Sequence, residues 1–274
     1  MYPEGICSPC GSLAHPRGTG SPGSSPAQSR EVAIERVEAG ARREERDRVV
    51  VEAPLQLRAR GAPVATVMRT PGHDLELVRG LLHAESLAGA IAQVDEDAVD
   101  IDVEASAFAG RGLLASAACG VCGRVAIADL EARAREVAAD TRVALAAIAG
   151  VPARLAAAQR VFAETGGLHA AALVATSGEL LCVREDVGRH NAVDKLVGWT
   201  LDAGRDPSSA FLFLSGRIGY ELVQKAVMLG VPVIAAVSAP SSLAIDLAER
   251  FNIALVGFVR GARGNLYSHA WRIF

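Results

Sequence analysis

The sequence contains few lysines, few aromatic residues and no long hydrophobic run, and each shortage excludes a class of protein. The 274-residue chain has 28 basic and 31 acidic residues, a formal net charge of −3, so it lacks the positive field that attracts nucleic acid. Aromatic side chains make up 4% of the chain, which argues against a base-stacking platform. Pro152 and Pro232 interrupt the longest apolar segments, which stay below the roughly 18 residues that span a bilayer. The first residues do not show the pattern of a secretory signal, which is a basic start followed by an apolar stretch. We therefore expect a cytosolic protein.

Only two of the basic residues are lysines, Lys195 and Lys225. A lysine that remains in a chain so rich in arginine is either a chance survivor or a position where arginine cannot replace its compact ammonium group. Half of the residues are hydrophobic and 22% are charged, which is typical of a folded globular protein. The length fits one large domain or two modest ones.

The chain divides into three predicted regions. Residues 1–30 are rich in Gly, Ser and Pro and are predicted to form a disordered tail. The tail contains a Cys-x-x-Cys pair, Cys7 and Cys10, with no further metal ligands nearby. Residues 31–125 combine short strands with a helix over Asp74–Leu87, which predicts a small α+β subdomain. Residues 126–274 are predicted to form an α/β domain.

Strands and helices alternate in the last region. Two helices are predicted first, over Arg124–Ala138 and Pro152–Ala163, and a hairpin follows. The apolar segments Phe211–Leu214, Val231–Val237 and Ile253–Val259 are separated by helical patterns. This β-α-β-α-β order predicts a parallel sheet with helices on its faces.

Polar clusters follow the three predicted parallel strands at their carboxyl ends, where open α/β sheets bind ligands. The clusters contain Ser215, Gly216 and Arg217; Ser238 and Ser241; and Arg260, Gly261, Ala262 and Arg263. Helix capping and ordinary surface arginines account for any one cluster. Three clusters at one edge, two of them opening helices, predict a crevice for a phosphate-bearing ligand. No Walker A or Gly-x-Gly-x-x-Gly pattern accompanies them, so the ligand need not be ATP or NAD.

A second candidate site is the segment Cys-Gly-Val-Cys-Gly, which contains Cys119 and Cys122. Its glycines permit a tight loop, and a following helix N-terminus with Arg124 would lower the pKa of a thiol. Three interpretations stay open: a zinc site, a thiol–disulfide exchanger, and a nucleophilic thiolate that carries a group. A zinc site needs three or four ligands, and only His169 and Cys182 are candidates for the missing ones. Cys182 lies in an apolar strand and is predicted to be a buried small hydrophobic residue.

A third cluster of ionisable residues runs from Arg184 to Asn191 and continues to Asp194 and Lys195. A solvated loop would account for it, but mixed Arg, Asp, His and Asn side chains at a strand-to-helix junction also form the walls of polar sites. His169 begins the hairpin whose second strand leads to Arg184, so it belongs to the same cluster.

These motifs together resemble those of the FdhD/NarQ family, the accessory sulfurtransferases of formate dehydrogenase, over about residues 45–268. The segments that carry the resemblance are Cys-Gly-Val-Cys-Gly at 119–123, Thr-Gly-Gly-Leu-His-Ala-Ala at 165–171, Arg-Glu-Asp-Val-Gly-Arg-His-Asn-Ala-Val-Asp-Lys at 184–195, Ser-Gly-Arg-Ile-Gly-Tyr-Glu at 215–221 and Ser-Ala-Pro-Ser-Ser-Leu-Ala at 238–244. The departures are small: Ala117-Ala118 where polar residues are usual, Arg124 where Lys is common, and Gly219 where Ser is common.

The resemblance implies a cytidine-deaminase-like layered α/β domain with a small N-terminal α+β subdomain, assembled as a homodimer. It implies an enzyme that passes persulfide sulfur from a cysteine desulfurase to the molybdenum bis(molybdopterin guanine dinucleotide) cofactor, or its tungsten analogue, before the cofactor enters the formate dehydrogenase catalytic subunit. By motif, Cys119 would hold the persulfide and Cys122 would be its partner. The segment Phe258, Val259, Arg260, Gly261, Ala262 and Arg263 would contact the cofactor, and no intrinsic metal is implied.

Two other functions remain as alternatives. One is a cofactor-binding chaperone whose cysteines only contact a partner or the metal. The other is a zinc-dependent nucleobase hydrolase, although no His-x-Glu precedes a Pro-Cys-x-x-Cys in this chain.

Overall fold

A computed structural model describes residues 26–108, 128 and 130–274. Within these ranges the strands are β1 (Ser29–Glu38), β2 (Ala41–Val50), β3 (Ala53–Ala59), β4 (Ala62–Arg69), β5 (Ile91–Asp95), β6 (Ala98–Ile101), β7 (His169–Ala175), β8 (Leu180–Asp186), β9 (Ala210–Leu214), β10 (Val233–Ala236), β11 (Ala254–Arg260) and β12 (Arg263–Ser268). The helices are α1 (Asp74–Ala84), α2 (Leu145–Ala149), α3 (Val151–Ala158), α4 (Arg160–Thr165), α5 (Arg189–Asp202), α6 (Tyr220–Leu229) and α7 (Ser242–Arg250). Most of the predicted tail lies outside the described residues, and β1 begins at Ser29.

The larger sheet has six strands in the order β12-β11-β10-β9-β7-β8. Strands β9, β10 and β11 are parallel, as the alternating pattern predicted. Every residue of β9 and β10 is buried, because helices cover both faces of the sheet. The predicted hairpin, β7 and β8, joins the sheet antiparallel to β9. Strand β12, which the sequence analysis did not identify, pairs antiparallel with β11.

Two hydrophobic cores lie on opposite faces of this sheet. Helices α5, α6 and α7 cover one face, with Leu196, Leu222 and Leu247 in a single buried cluster. On the other face Ile148 of α2 and Leu155 of α3 pack with strand residues. The fold is therefore a layered mixed α/β architecture.

The smaller sheet has the order β4-β3-β6-β5 and packs against α1. Its core is made by alternate residues of β3, such as Leu55 and Leu57, together with Leu77 and Val78 of α1. The period-2 burial of β3 shows that one face of this sheet is covered and the other is not.

Helices α1 and α5 join the two sheets through an unusually close backbone contact. A Cβ atom added to Gly80 would lie 2.0 Å from the Asp194 carbonyl oxygen, and one added to Gly198 would lie 2.0 Å from the Glu76 carbonyl oxygen. No side chain fits at either position, so the two glycines determine how closely the helices approach each other.

A buried ion pair lies at the same junction. Lys195 Nζ is 2.7 Å from Asp186 Oδ2, and both side chains are fully buried. Lys195 also donates to the Thr70 carbonyl oxygen at 2.8 Å, while Asp186 accepts from the Thr70 N–H at 3.1 Å. The end of β4 is thereby fixed to the end of β8 and to α5.

Two predicted helices differ from the structure. The helix expected over Arg124–Ala138 is described only in part: residues 130–133 are helical and 134–138 are not. The helix expected over Pro152–Ala163 is broken at Gln159 into α3 and α4. The Glu185 carboxylate accepts the N–H groups of Val161 and Phe162 at 3.2 and 2.9 Å, so a long-range contact satisfies the first amides of α4.

Strands β1 and β2 form a separate two-stranded ribbon. Its residues are mostly exposed, and oppositely charged side chains pair across it, as in Arg36–Glu45 and Arg46–Glu31. Arg48 at its base contacts Glu164 of α4 at 3.0 Å. The sequence predicts strands only over Val32–Val37 and Arg48–Ala53 in this region, because charged residues on both faces conceal the period-2 pattern of the rest.

Candidate functional site

The carboxyl ends of β9, β10 and β11 meet at one edge of the larger sheet, where the predicted crevice residues lie. The loops after β9 and β10 are joined by two hydrogen bonds, from the Ile218 N–H to the Ala239 carbonyl oxygen at 3.0 Å and from the Ser241 N–H to the Ile218 carbonyl oxygen at 2.9 Å. The Phe258 N–H donates to the Ser238 carbonyl oxygen at 3.2 Å, which joins β11 to the same group. The structure therefore brings the three predicted clusters together.

The serines of this edge have structural partners. Ser215 Oγ accepts the Ala170 N–H at 2.8 Å, which fixes the end of β9 to β7. Ser241 is the N-cap of α7 and accepts the Ala244 N–H at 3.2 Å. Capping thus accounts for Ser241, while its exposed hydroxyl still has acceptor and donor capacity for a ligand.

The end of β11 turns sharply and presents its charges to solvent. Phe258 has a left-handed φ of 53° and is 39% exposed, whereas Val259 is buried. Gly261, with φ of 55°, forms the turn into β12. Arg260 and Arg263 pair across this turn and are exposed, as is Ala262 between them. Both guanidinium groups are thus available at the edge.

Part of the third cluster also lies at this edge. His169 begins β7, and an added Cβ on Gly216 would lie 3.2 Å from its Nδ1 atom, so imidazole and loop are in contact. Burial lowers the pKa of His169, and the neighbouring charges of Arg189, Arg217 and His190 lower it further. His169 is therefore neutral near pH 7.

His190 is held by an acidic residue of the next helix. Its Nε2 atom lies 2.5 Å from Glu221 Oε2, and both side chains are about three-quarters buried, with 25% and 22% exposed. The close contact with His190 lowers the pKa of Glu221, and burial opposes this shift. One turn further along, Lys225 of α6 contacts Asp194 of α5 at 2.6 Å. The two ion pairs fix α5 relative to α6.

Other members of the third cluster are structural. Arg184 donates to both carboxylate oxygens of Glu76, at 2.6 and 2.8 Å, and its guanidinium lies 6.0 Å from the centre of the Trp199 ring. It also donates to Cys182 Sγ at 3.0 Å, and Cys182 is buried as predicted. Asp186 and Lys195 form the buried pair between the two sheets. The interpretation of the whole cluster as a site wall is therefore wrong for Arg184, Asp186 and Lys195.

The two cysteines of the predicted catalytic loop, Cys119 and Cys122, lie outside the described residues, as do Cys7 and Cys10. The described flanks are informative. Phe108 is buried in the core of the smaller sheet, and Leu130 is buried in the α5–α7 core of the larger one. The described residues on the two sides of the cysteines therefore belong to different cores.

The described ranges contain neither a cluster of metal-ligating side chains nor a membrane-spanning helix. No group of three or more His, Cys, Asp and Glu side chains in them could hold a metal ion. No helix among them has the length and apolarity to cross a membrane.

A cavity of about 610 Å³, lined in part by Ser208 and Gly230, lies at the amino-terminal end of β10 and so is remote from the basic edge.

Comparison with known proteins gives consistent matches over most of the chain. The model of the FdhD/NarQ family matches residues 50–274. A sulfur carrier protein FdhD from Nocardia farcinica is 45% identical over 246 residues, which cover 83% of this chain and 88% of that protein. The protein of the same name from Sulfolobus acidocaldarius is 42% identical over 254 residues, covering 90% of this chain and 99% of its own length.

A solved structure is similar in fold. The crystal structure of a protein from Desulfotalea psychrophila, named as a formate dehydrogenase accessory protein, superposes with a TM-score of 0.74 at 23% identity. The match covers 90% of this chain and 100% of the other. At this identity the likeness concerns the fold alone.

Proposed function

The chain belongs to the FdhD/NarQ family, and on that premise we propose that it is a sulfur carrier for formate dehydrogenase. It accepts persulfide sulfur from a cysteine desulfurase and delivers it to the bis(molybdopterin guanine dinucleotide) cofactor of molybdenum or tungsten, which is its bound substrate. The relatives named sulfur carrier proteins support the general role.

The observation that carries the proposal is the basic edge of the larger sheet. Exposed Arg260 and Arg263 lie at the β11–β12 turn, and exposed Arg217 follows β9 at the same edge. Serine hydroxyl groups lie between them. Guanidinium groups form charge-assisted, often bidentate hydrogen bonds with phosphate. A bis(guanine dinucleotide) carries four phosphates in two pyrophosphate links, so the edge has the chemistry that such a substrate requires.

The sulfur transfer follows from thiolate chemistry. The Cys119 thiolate attacks the outer sulfur of the desulfurase persulfide; a new S–S bond forms, the old one breaks, and the desulfurase cysteine leaves as a thiolate. The Cys122 thiolate assists release by attacking Cys119 Sγ, and a cellular thiol can attack the same atom in its place. The outer sulfur leaves as sulfide for the metal, and the two cysteines, which supply the two electrons, become a disulfide. A cellular dithiol reduces that disulfide before the next cycle.

Persulfide loading tests this proposal most directly. The protein is incubated with a cysteine desulfurase and cysteine, and its mass is then measured. We expect a gain of one sulfur atom that Cys119→Ala abolishes and Cys122→Ala retains, because a persulfide needs one sulfur anchor. The Cys7→Ala/Cys10→Ala double variant is the matched control and should load normally.

Maturation of formate dehydrogenase gives the second measurement. Cys119→Ala should abolish it, and Cys122→Ala should reduce it less. Normal activity of dehydrogenase matured with Cys119→Ala would contradict the carrier role and favour the chaperone alternative. Equal loss with both variants would contradict the single-anchor mechanism and favour joint ligation or an obligatory disulfide.

The proposal includes an organisation for the whole chain. Residues 1–30 are the tail, whose last two residues already belong to β1. Residues 31–125 are the subdomain that ends in the cysteine loop, and residues 126–274 are a cytidine-deaminase-like domain that binds the cofactor. The protein acts as a cytoplasmic homodimer. Its mass in solution and limited proteolysis test these points.

A further inference from the structure

Residues 135–142 cross the amino-terminal side of the larger sheet as an extended segment, called here the cross segment, with no turn or bend. The Val137 N–H donates to the carbonyl oxygen of Phe251, shortly before β11, at 3.0 Å. Thr141 Oγ1 donates to the carbonyl oxygen of Ser208, just before β9, at 2.5 Å. The cross segment therefore lies at the ends of the parallel strands that are opposite to the basic edge.

The cross segment has the alternation of an edge strand. Its odd-numbered residues from 137 to 141 are buried or half-buried, and its even-numbered residues from 136 to 140 are exposed. The carbonyl oxygens of the odd-numbered residues accept hydrogen bonds from two side chains, Asn252 and Arg272. In the described part of the chain, nothing bonds to the backbone N–H and C=O groups of Glu136, Ala138 and Asp140. One side of the segment is thus satisfied, and the other side is free to pair with a further strand.

The free side borders the cavity of about 610 Å³. The side chains that hold the other side of the cross segment do not line this cavity, whereas Glu136 and Ala138 do. Another wall is the carboxyl end of α6, with Val227, Met228 and Gly230. Such a volume is typical of ligand sites, and a methionine side chain adapts to apolar groups of different shape. The cavity thus combines free backbone groups with apolar side chains.

The charge around the cross segment is positive at both of its ends. Arg135 and Arg142 are exposed, and neither has an ion-pair partner within 4.0 Å among the described residues. Glu136 is already paired with an arginine of α7 at 2.6 Å. Asp140 partly offsets the charge of Arg272, which is fully buried. The free charges therefore favour an acidic occupant over a basic one.

A second copy of this chain does not suit the free side. Two copies that pair all three outward residues are antiparallel about a two-fold axis at Ala138. Glu136 would then lie opposite the partner's Asp140, and like charges directly opposite each other destabilise a pair of strands. A strand of another protein has no such conflict.

We propose that the cross segment binds an extended acidic peptide of a partner protein, which pairs with its free side as an additional strand. Apolar side chains of the peptide contact Val227 and Met228 in the cavity, and its carboxylates pair with Arg135 and Arg142. The site is at the opposite ends of the strands from the basic edge, so the peptide and a phosphate-bearing substrate bind at the same time. The inference is independent of the proposed function.

Fluorescence anisotropy of the full-length protein with labelled synthetic peptides tests the docking site. The probe is a short peptide of alternating valine and glutamate with blocked ends. We expect saturable binding that GDP does not displace. The matched peptide with lysine in place of glutamate should bind at least about tenfold more weakly, because its charges repel the arginines.

Backbone methylation of the peptide provides a readout that leaves every side chain in place. Methyl groups on alternate backbone nitrogens remove the N–H groups along one side of the peptide. We expect one of the two alternate sets to weaken binding at least about tenfold and the other set to have little effect, because only one side of the peptide pairs with the cross segment.

The corresponding change in the protein is Ala138→Pro, which removes the central N–H of the free side. That N–H has no partner among the described residues, so the fold should persist while peptide binding weakens at least about tenfold. Ala144→Pro is the matched control: Ala144 has a φ of −66° and a ψ of 134°, which suit proline, and it lies outside the cross segment. Circular dichroism and the mass in solution check both variants.

Several results would overturn the docking site. They are absence of saturable binding, equal binding of the glutamate and lysine peptides, full binding of both methylated peptides, and unchanged binding in Ala138→Pro. Displacement of the peptide by GDP would place it at the basic edge instead. A changed mass of Ala138→Pro in solution would show that the free side is an interface between copies of this chain. Persulfide loading on Cys119 tests the proposed function separately and should be normal in Ala138→Pro.

Discussion

Lysine occurs at two positions in this chain, and both ammonium groups contact buried aspartates. Lys195 pairs with Asp186 at 2.7 Å, and Lys225 pairs with Asp194 at 2.6 Å. Burial raises the pKa of Asp194, and Lys225 opposes that rise. The ammonium of Lys195 has three acceptors: the carbonyl oxygen of Thr70, which follows β4, the carbonyl oxygen of Glu185 in β8, and the Asp186 carboxylate. A planar guanidinium would not fill this space in the same way. The structure favours a specific requirement over chance survival.

Replacing Asp186 should destabilise the protein strongly. Asp186→Asn preserves the shape of the side chain but leaves Lys195 charged, fully buried and without a counter-ion, so we expect a loss of about 3–5 kcal/mol. The exposed pair Arg46–Glu31 is the control, and Glu31→Gln should cost less than about 1 kcal/mol. Urea unfolding measures both. Equal effects of the two substitutions would contradict the role of the buried pair.

The exposed arginines of the β11–β12 turn should affect binding and not folding. A charge-assisted bond to phosphate contributes about 1.5–3 kcal/mol, so Arg260→Ala or Arg263→Ala should weaken GDP binding roughly 10- to 150-fold. Persulfide loading should continue, because it needs the desulfurase and not the cofactor. Unchanged GDP affinity in both variants would refute the crevice; lost loading with intact binding would mean that these arginines face the desulfurase.

The edge could be predicted from the sequence to a large extent, because strand ends in a β-α-β-α-β pattern have one geometry. Ser215, Ser238 and Arg260 meet there for that reason. The separation of His190 from Arg184 could not be predicted. Both lie in one charged run, yet Arg184 belongs to a strand that faces α1, where Glu76 lies 108 residues away in sequence. Local sequence patterns do not predict such a long-range contact.

At the scale of the elements, the contact between α1 and α5 shows how two glycines acquire a structural role. Alanine is usually about 1 kcal/mol more favourable than glycine inside a helix. At Gly80 and Gly198 the sign should reverse, because an added Cβ would lie 2.0 Å from a backbone carbonyl oxygen of the other helix. The helices would have to separate, and the buried residues between them would lose contacts.

We therefore expect Gly80→Ala and Gly198→Ala each to destabilise the protein by more than about 3 kcal/mol, as large disruptions of packing do. Gly204→Ala is the control. Gly204 has a left-handed φ of 58° and open space around it, so the change introduces backbone strain of about 1–2 kcal/mol without a clash. Thermal unfolding would distinguish the two costs, and a small effect at Gly80 would show that the helices can move apart freely.

Element prediction succeeded where burial produces a regular pattern and failed where it does not. The strands β9, β10 and β11 are apolar runs, so they were found within about three residues. The break at Gln159 was missed, because the acceptor for the new helix start is Glu185, from another element. Burial raises the pKa of Glu185, and the N–H groups that it accepts oppose that rise. Strand β12 was missed because its exposed residues lack apolar alternation.

At the scale of the whole molecule, the two sheets are joined by polar contacts that belong to neither core. Glu76 of α1 and Arg184 of β8 form a two-bond ion pair between the units. Burial alone would raise the pKa of Glu76, but hydrogen bonds from Arg184 and His73 outweigh it and hold the pKa below its ordinary value of 4.5. The folded protein thus binds this proton less tightly than the unfolded chain.

The stability that this carboxylate contributes should therefore be complete above about pH 4.5 and should be lost as the pH falls through the lower pKa of the folded state. Glu76→Gln should lower stability at pH 7 and flatten the loss of stability toward acid. A double-variant cycle with Arg184→Met should give a coupling of about 0.5–3 kcal/mol. Glu35→Gln, in an exposed pair of the ribbon, is the control for charge alone.

Because the Glu76–Arg184 pair joins the units, hydrogen exchange in Glu76→Gln should accelerate in α1 and β3 before it does in β9. Uniform acceleration in all three elements would show that the units unfold together and that the pair does not control their separation.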